Sequence, residues 1–256
     1  MSMLDNVENA KVDYNEVTPT WHDVHKYSPA PRHRRRIICK IISKLNFNSC
    51  LDVGCAQPFL LLDISKSINS KNNRGGVELF GSDIAESVIN ENREKYKNIQ
   101  FFQADISKEM HVDTQYDVVI CSEVIEHIEN YEDAIRNLCL LSGNYLLITV
   151  PTGKVFKIDK KVGHFRHYSL EQLKNELSKN KFEIVKQRKW GFPFHSLYKY
   201  LINYAMSDTA TEKFQSSKYS FSQKFISNLL YILFFLNDLF SGGCQLFVLA
   251  RKQGDL

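Results

Sequence analysis

Apolar and polar positions along this chain follow two periods in turn. Five short runs are almost continuously apolar: "SCLDVGC" (49–55), "VELFGSDI" (77–84), "IQFFQAD" (99–105), "YDVVICSEV" (116–124) and "NYLLITVP" (144–151). Runs of that length and β-rich composition read as strands buried on both faces. Several of the intervening segments are polar and helix-compatible, so the rhythm predicts an α/β domain with a doubly wound parallel sheet. After Pro151 the pattern changes. "SLEQLKNELSKN" (169–180) opens with Ser169 and carries Gln172 three positions on, the spacing of a capping box at a helix start. A strand "FEIVKQRKW" (182–190), two aromatic-rich helices around 194–206 and 221–240, and a last strand "GCQLFVLARK" (243–252) follow. The Ser/Thr/Lys-rich stretch 207–220 between the two helices reads as a mobile loop.

Composition narrows this picture without changing it. With 256 residues, 43% hydrophobic and 24% charged, the chain is expected to form one α/β domain with additions. The net charge of +4 is mild, and much of it sits in "RHRRR" (32–36). That run admits an anionic ligand, but without a long basic stripe nucleic acid is not the expected partner. The six cysteines, Cys39, Cys50, Cys55, Cys121, Cys139 and Cys244, form no C-x-x-C pair, and most lie in apolar runs. They are therefore expected to be reduced thiols rather than disulfides or zinc ligands. The acidic N-terminal stretch has no apolar core, so no secretory signal is read and the expected location is cytoplasmic. The most apolar stretch, 225–240, falls short of the ~20 residues a spanning helix needs. It is also interrupted by Asn228, Asn237 and Asp238, so it is expected to pack or to lie at an interface.

The loop after the first strand, "LDVGCAQPF" (51–59), occupies the place where doubly wound sheets bind their ligands. A dinucleotide fingerprint wants small residues at its first, third and sixth positions, which here are Gly54, Ala56 and Phe59. Phe59 would spoil the close packing of the following helix. A shorter acidic-x-Gly-x-small pattern through Asp52, Gly54 and Ala56 fits better, and Pro58 can start the next helix.

With three further motifs in order, this loop resembles the first motif of class I S-adenosylmethionine-dependent methyltransferases. The other three are "FGSDI" with Asp83 and Ile84, "FFQADIS" with Ala104, Asp105 and Ile106, and "YDVVICSEVIEHI" with Ser122, Glu123 and Val124. The resemblance covers about 46–190 strongly and the last strand more weakly. It implies a Rossmann-like, seven-stranded, mostly parallel sheet with an antiparallel last strand, and S-adenosyl-L-methionine as cofactor with S-adenosyl-L-homocysteine as product. It also implies cofactor contacts from Asp52, Gly54 and Ala56 in the loop. Asp83 and Ile84 would lie at the ribose, Asp105 and Ile106 at the adenine, and Ser122 and Glu123 near the methionine part. The type 11, 12 and 23-like small-molecule branch that the layout resembles implies an N-terminal arm and lid helix over 1–45 and a methyltransferase domain over 46–256. An acceptor-binding helical insertion is expected at about 191–241. In the lid, Tyr27 or Trp21 would face the sulfonium through cation–π attraction, and an arginine from 32–36 would hold a carboxylate or phosphate.

Transfer to a hydroxyl requires a nucleophile held in line and a group to take its proton. Two clusters could supply that group: Glu123, Glu126 and His127 in "EVIEH", and His164, Arg166, His167 and Tyr168 in "GHFRHYS". His127, His164 and His167 are the catalytic candidates, with no metal needed. An alternative joins the clusters. Small-RNA 2′-O-methyltransferases carry a similar E-x-x-E-H and a downstream histidine that bind a divalent metal, a set Glu123, Glu126, His127 and His164 would reproduce. A second alternative is a noncatalytic methyltransferase-like binding protein, because Ala56 and Pro58 replace the usual glycines. The expected acceptor is a small molecule such as a sugar, a glycan or lipid precursor, or a secondary metabolite. The aromatic stripes at 190–206 and 225–240 would suit a glycosylated or lipid-linked acceptor, or peripheral contact with a membrane.

Overall fold

In a computed structural model describing residues 12–69, 76–205 and 218–254, seven strands form a single sheet. They are β1 (Ser49–Val53), β2 (Glu78–Asp83), β3 (Gln100–Gln103), β4 (Tyr116–Ser122), β5 (Ser142–Pro151), β6 (Phe182–Trp190) and β7 (Gln245–Lys252). Their order is β3-β2-β1-β4-β5-β7-β6, with β7 antiparallel to both neighbours and the first five strands parallel. The central strands are apolar on both sides because helices cover both faces. Ile120, Leu147 and Val118 pack into one buried cluster, and Val119, Leu146 and Ile148 into the other. The chain reverses its winding between β1 and β4, which opens a crevice at their carboxyl ends.

Four short or medium helices precede and follow β1. α1 (Tyr14–Val17) runs through a 3-10 turn (Thr18–Trp21) into α2 (His22–Tyr27), and Pro29 then opens α3 (Pro29–Ile42), where a missing N–H costs nothing. α4 (Phe59–Asn69) starts directly after Pro58. α5 (Glu86–Lys95), α6 (Tyr131–Leu141) and the short α7 (Lys157–Lys161) complete the parallel half. α8 (Leu170–Lys179) is held by the expected box: Gln172 N donates to Ser169 Oγ at 3.2 Å, and Ser169 N donates to Gln172 Oε1 at 2.8 Å. α9 (Phe194–Ala205) and α10 (Phe221–Leu233) lie between β6 and β7. The helix expected to reach residue 240 ends at Leu233 and tightens into a 3-10 segment, Phe234–Leu239. There the buried Asn237 accepts the Phe194 N–H at 2.9 Å and so caps α9. The last strand begins at Gln245 rather than 243, since Gly242 and Gly243 take φ of +105° and +119°, off the extended region. Of the stretch 207–220, only 218–220 are among the described residues, as is the N-terminal arm only from residue 12.

All six cysteines are free, four of them buried. Among the described residues, no helix is long and apolar enough to cross a membrane.

Candidate active site

The crevice holds a cavity of about 530 Å³, within the usual range for small-molecule sites. Asp52, Gly54, Ala56, Asp83, Ile84, Asp105, Ile106, Ser122 and Glu123 all line it, as does His127. One wall comes from the N-terminal helices, through Tyr14, Thr18, Trp21, His25, Arg34 and Arg35. Tyr27 is not on that wall. It stacks on Tyr219 at 6.4 Å, so Trp21 is the aromatic residue of the pair that reaches the cavity.

The loop is built around Asp83. Its carboxylate accepts the N–H of Ala56 on one oxygen and of Ala85 on the other, each at 2.9 Å, while Gly54 N and Cys55 N both donate to Ser82 O. Each carboxylate oxygen retains a further lone pair for a ligand hydroxyl. Gly54 has φ +71°, and an added Cβ would lie 2.3 Å from Val124 Cγ2. Ala56 takes φ +43°, a left-handed conformation that glycine adopts more readily. Burial, with the Asp83 charge beside it, pushes Asp52 up to about 8. Asp83 is raised by its burial, against the pull of its N–H partners. Burial also acts to raise Asp105, but hydrogen bonds from Ser107 and the Lys108 charge outweigh it and leave the carboxyl below its ordinary value.

Glu123 sits at φ +60° and is held by three groups. Arg34 Nη1 lies 3.2 Å from Oε2, Gln245 Nε2 donates to the same oxygen at 3.2 Å, and Thr149 Oγ1 donates to Oε1 at 3.3 Å. The arginine run is divided between protein partners and the cavity. Arg32 bonds Asn228, Arg35 bonds Asp63 and the His25 carbonyl, and Arg36 pairs with Asp238, so Arg34 and Arg35 alone of the four line the cavity.

Of the three histidine candidates, His127 is the one in the cavity wall. His164 stands edge to face behind it at 4.6 Å, and His164 Nδ1 lies 3.4 Å from His167 Nε2. His167 Nε2 lies 3.3 Å from Asp159 Oδ2, and Lys199 Nζ holds the other Asp159 oxygen at 3.0 Å. The structure thus joins the two sequence clusters into one buried chain. Backbone bonds fix the junction: Phe165 N donates to Glu126 O, and the Tyr168 hydroxyl donates to Ile125 O. Burial lowers His127 to about 4 and His164 to about 2, so both imidazoles are neutral at neutral pH.

Glu126 is 0% exposed, and neither carboxylate oxygen has a hydrogen-bond partner. Burial first and the Glu123 charge second hold it well above the carboxylate range. Ligand atoms of Glu126, His127 and His164 lie within 4.8 Å of one another, and so do those of Asp159, His164 and His167. One carboxylate with two imidazoles is a donor set that fits a divalent cation. Glu123, the fourth residue of the expected metal set, is instead engaged by Arg34 and Gln245.

Sequence reasoning missed Tyr14, His25 and Gln57. Gln57 Nε2 donates to Thr18 O at 2.9 Å and Oε1 meets His25 Nδ1 at 3.1 Å, tying the cofactor loop to the N-terminal wall. Tyr14, raised to about 12 chiefly by burial, stands 6.0 Å from the His127 ring. No motif marks Tyr14 or His25, and Gln57 stands inside the first motif without a role there, because all three act where a distant helix folds over the crevice.

A family model described as a methyltransferase domain matches residues 30–187. Among curated proteins, the chain is similar to the ubiquinone biosynthesis O-methyltransferase of Rickettsia felis, 30% identical over 148 residues, covering 54% of this chain and 57% of that protein. The protein of the same name from Rickettsia typhi is 36% identical over 97 residues, covering 38% and 36%. The chain thus matches between about a third and little more than half the length of these relatives. Among solved structures, it shares its fold with the [4+2]-cyclase SpnF, at a TM-score of 0.60 and 14% identity over 94% of each chain. It also shares it with the N-methyltransferase NodS of Bradyrhizobium japonicum in complex with S-adenosyl-L-homocysteine, at 0.56 and 12% identity over 90% and 91%. Since the family model spans more than half of the chain, and the motifs it matches gather round one cavity, this protein belongs to the class I S-adenosylmethionine-dependent methyltransferases.

Proposed function

We infer that the protein moves a methyl group from S-adenosylmethionine to an oxygen or nitrogen of a small-molecule acceptor. One observation carries this: nine residues expected to hold the cofactor and one candidate base, His127, line a single cavity of about 530 Å³. The nucleophile would approach in line with the C–S bond; the new bond to carbon forms as the C–S bond breaks, and the acceptor proton passes to the neutral His127. His164, His167 and Asp159 do not line that cavity and act as positioning residues behind His127. Arg34, paired with Glu123, lies where it can hold the cofactor carboxylate. The name of the curated relatives suggests an aromatic hydroxyl on a lipid-tailed acceptor.

A second version is favoured by Glu126, whose unpartnered oxygens face two imidazole ligands. A divalent cation held by Glu126, His127 and His164 would polarise the acceptor hydroxyl.

Calorimetric titration with S-adenosylmethionine and S-adenosylhomocysteine, with and without Mn²⁺, tests both versions. Micromolar binding that Asp83→Asn weakens is expected, followed by a methylated product in mass spectra of a prenylated catechol acceptor. His127→Asn should then lower kcat roughly 100-fold with cofactor affinity unchanged. Mn²⁺ binding of its own, abolished in Glu126→Gln, selects the metal version. Absence of cofactor binding under either condition would overturn the enzyme and leave a binding protein.

A further inference from the structure

α10 and the 3-10 segment after it are apolar on the side turned to solvent as well as on the side turned inward. The side turned inward carries Ser227, Leu230, Tyr231, Phe234 and Asn237, with Ser227 and Asn237 buried. The side turned to solvent carries Phe221, Phe225, Leu229, Ile232 and Leu236, spaced three or four apart along one stripe, then Leu239 and Phe240. Phe221 is 87% exposed and Leu239 76%. A helix apolar all round belongs in a core or against an apolar medium. The stripe continues across the neighbouring helix: Phe240 meets Phe192 at 6.0 Å, and α9 exposes Leu197, Tyr200, Leu201 and Tyr204. So contiguous an exposed apolar surface marks a contact site.

Charge on the same side selects the occupant. Among the described residues of 152–167, 191–205 and 218–243, the acidic side chains are Asp159 and Asp238. Asp159 is buried against Lys199, and Asp238 is held between Arg36 and Arg188. Exposed lysines rim the apolar surface. Lys154 and Lys157 flank Phe156, which contacts Tyr204 of α9, and Lys218 precedes Phe221 by three positions. Among the described residues, an apolar face rimmed by lysines, with the nearby carboxylates Asp159 and Asp238 both paired, is the pattern of an element that lies in the interface plane of an anionic bilayer.

We propose that α9, α10 and the 3-10 segment Phe234–Leu239 form a docking surface for an anionic lipid bilayer, with the apolar stripe in the acyl boundary and the lysine rim at the headgroups. α10 packs on α2 and α3, through Ser28 Oγ to the Tyr219 hydroxyl at 2.8 Å and His33 Nε2 to Tyr231 O at 2.8 Å. The docked face therefore lies on the far side of α10 from the helices that wall the cavity. The surface stands independently of which acceptor is methylated.

Flotation of the full chain with vesicles of phosphatidylcholine, with and without added phosphatidylglycerol, is the test. Binding is expected to the anionic vesicles, falling with salt. It should be roughly tenfold weaker in Leu229→Glu/Ile232→Glu. A similar loss is expected in Lys154→Glu/Lys157→Glu, which leaves the stripe intact, and thermal unfolding of each variant confirms that it is folded. Absence of binding to either vesicle, equal binding to both, or binding unchanged in both folded variants overturns the proposal. A dimer in light scattering that Leu229→Glu/Ile232→Glu dissolves, with vesicles untouched, would assign the face to a second copy.

Discussion

A methyl group on Gly54 would face two penalties at once, a 2.3 Å approach to Val124 Cγ2 and a left-handed backbone at φ +71°. Gly54→Ala should therefore destabilise the protein by on the order of 3 kcal/mol in urea unfolding. Val124→Ala should recover only the steric share. If Gly54→Ala is as stable as the parent, the loop is not built as described. Gly54 was legible in the sequence because its neighbours Asp52 and Ala56 form a recognisable spacing; the left-handed turn at Ala56 was not, since nothing in the letter A announces a positive φ. His33 was read only as part of a basic run. It is fully buried, donates Nε2–H to Tyr231 O, and accepts from Arg36 on Nδ1 at 3.2 Å, an arrangement that requires a neutral ring. Burial first, with Arg36 and Arg32 adding to it, holds it down to about 4, against about 6.5 in an unfolded chain. The folded state thus binds fewer protons than the unfolded one between these values, so the stability is complete above pH 6.5 and drains away as pH falls towards 4. Urea midpoints across that range should slope less steeply in His33→Gln, and an identical slope would remove His33 as a source of acid sensitivity.

Elements were readable where local chemistry fixes them. Ser169 and Gln172 gave the start of α8 because a capping box is a short-range signature, and Ser169→Ala should cost about 1 kcal/mol in urea unfolding. A cost near zero would mean the helix start is held by its packing alone. The same signature stands at Ser220 and Gln223, whose reciprocal bonds open α10, ahead of an apolar run that dominates the pattern. The end of that helix could not be read at all. It is set by Asn237, which caps α9, a contact between elements more than forty residues apart. The start of β7 moved by two residues for a related reason: Gly242 and Gly243 turn the chain where the strand pattern still continues.

At the scale of the whole molecule, the doubly wound parallel sheet followed from the alternation of strands and helices, and the antiparallel last strand and the cofactor residues from the resemblance that four motifs carry. The histidine chain to Asp159 and Lys199, the pairing of Arg34 with Glu123, and the places of Tyr14 and His25 in the N-terminal wall depend on segments that meet only in three dimensions. Gln57 is the plainest case. Its amide grips Thr18 O and His25, so Gln57→Leu removes two hydrogen bonds worth about 1 kcal/mol each and should weaken cofactor binding by roughly tenfold in calorimetry. An unchanged affinity would show that loop and wall act separately. The deeper consequence is thermodynamic. A loop that orders around a ligand while holding the wall places both on a single equilibrium, and coupling between two events is equal in both directions. Whatever free energy the closed wall lends to the bound cofactor, the cofactor returns to the wall as slowed amide exchange over residues 14–42. The cofactor is then also a clamp on the door through which it must leave.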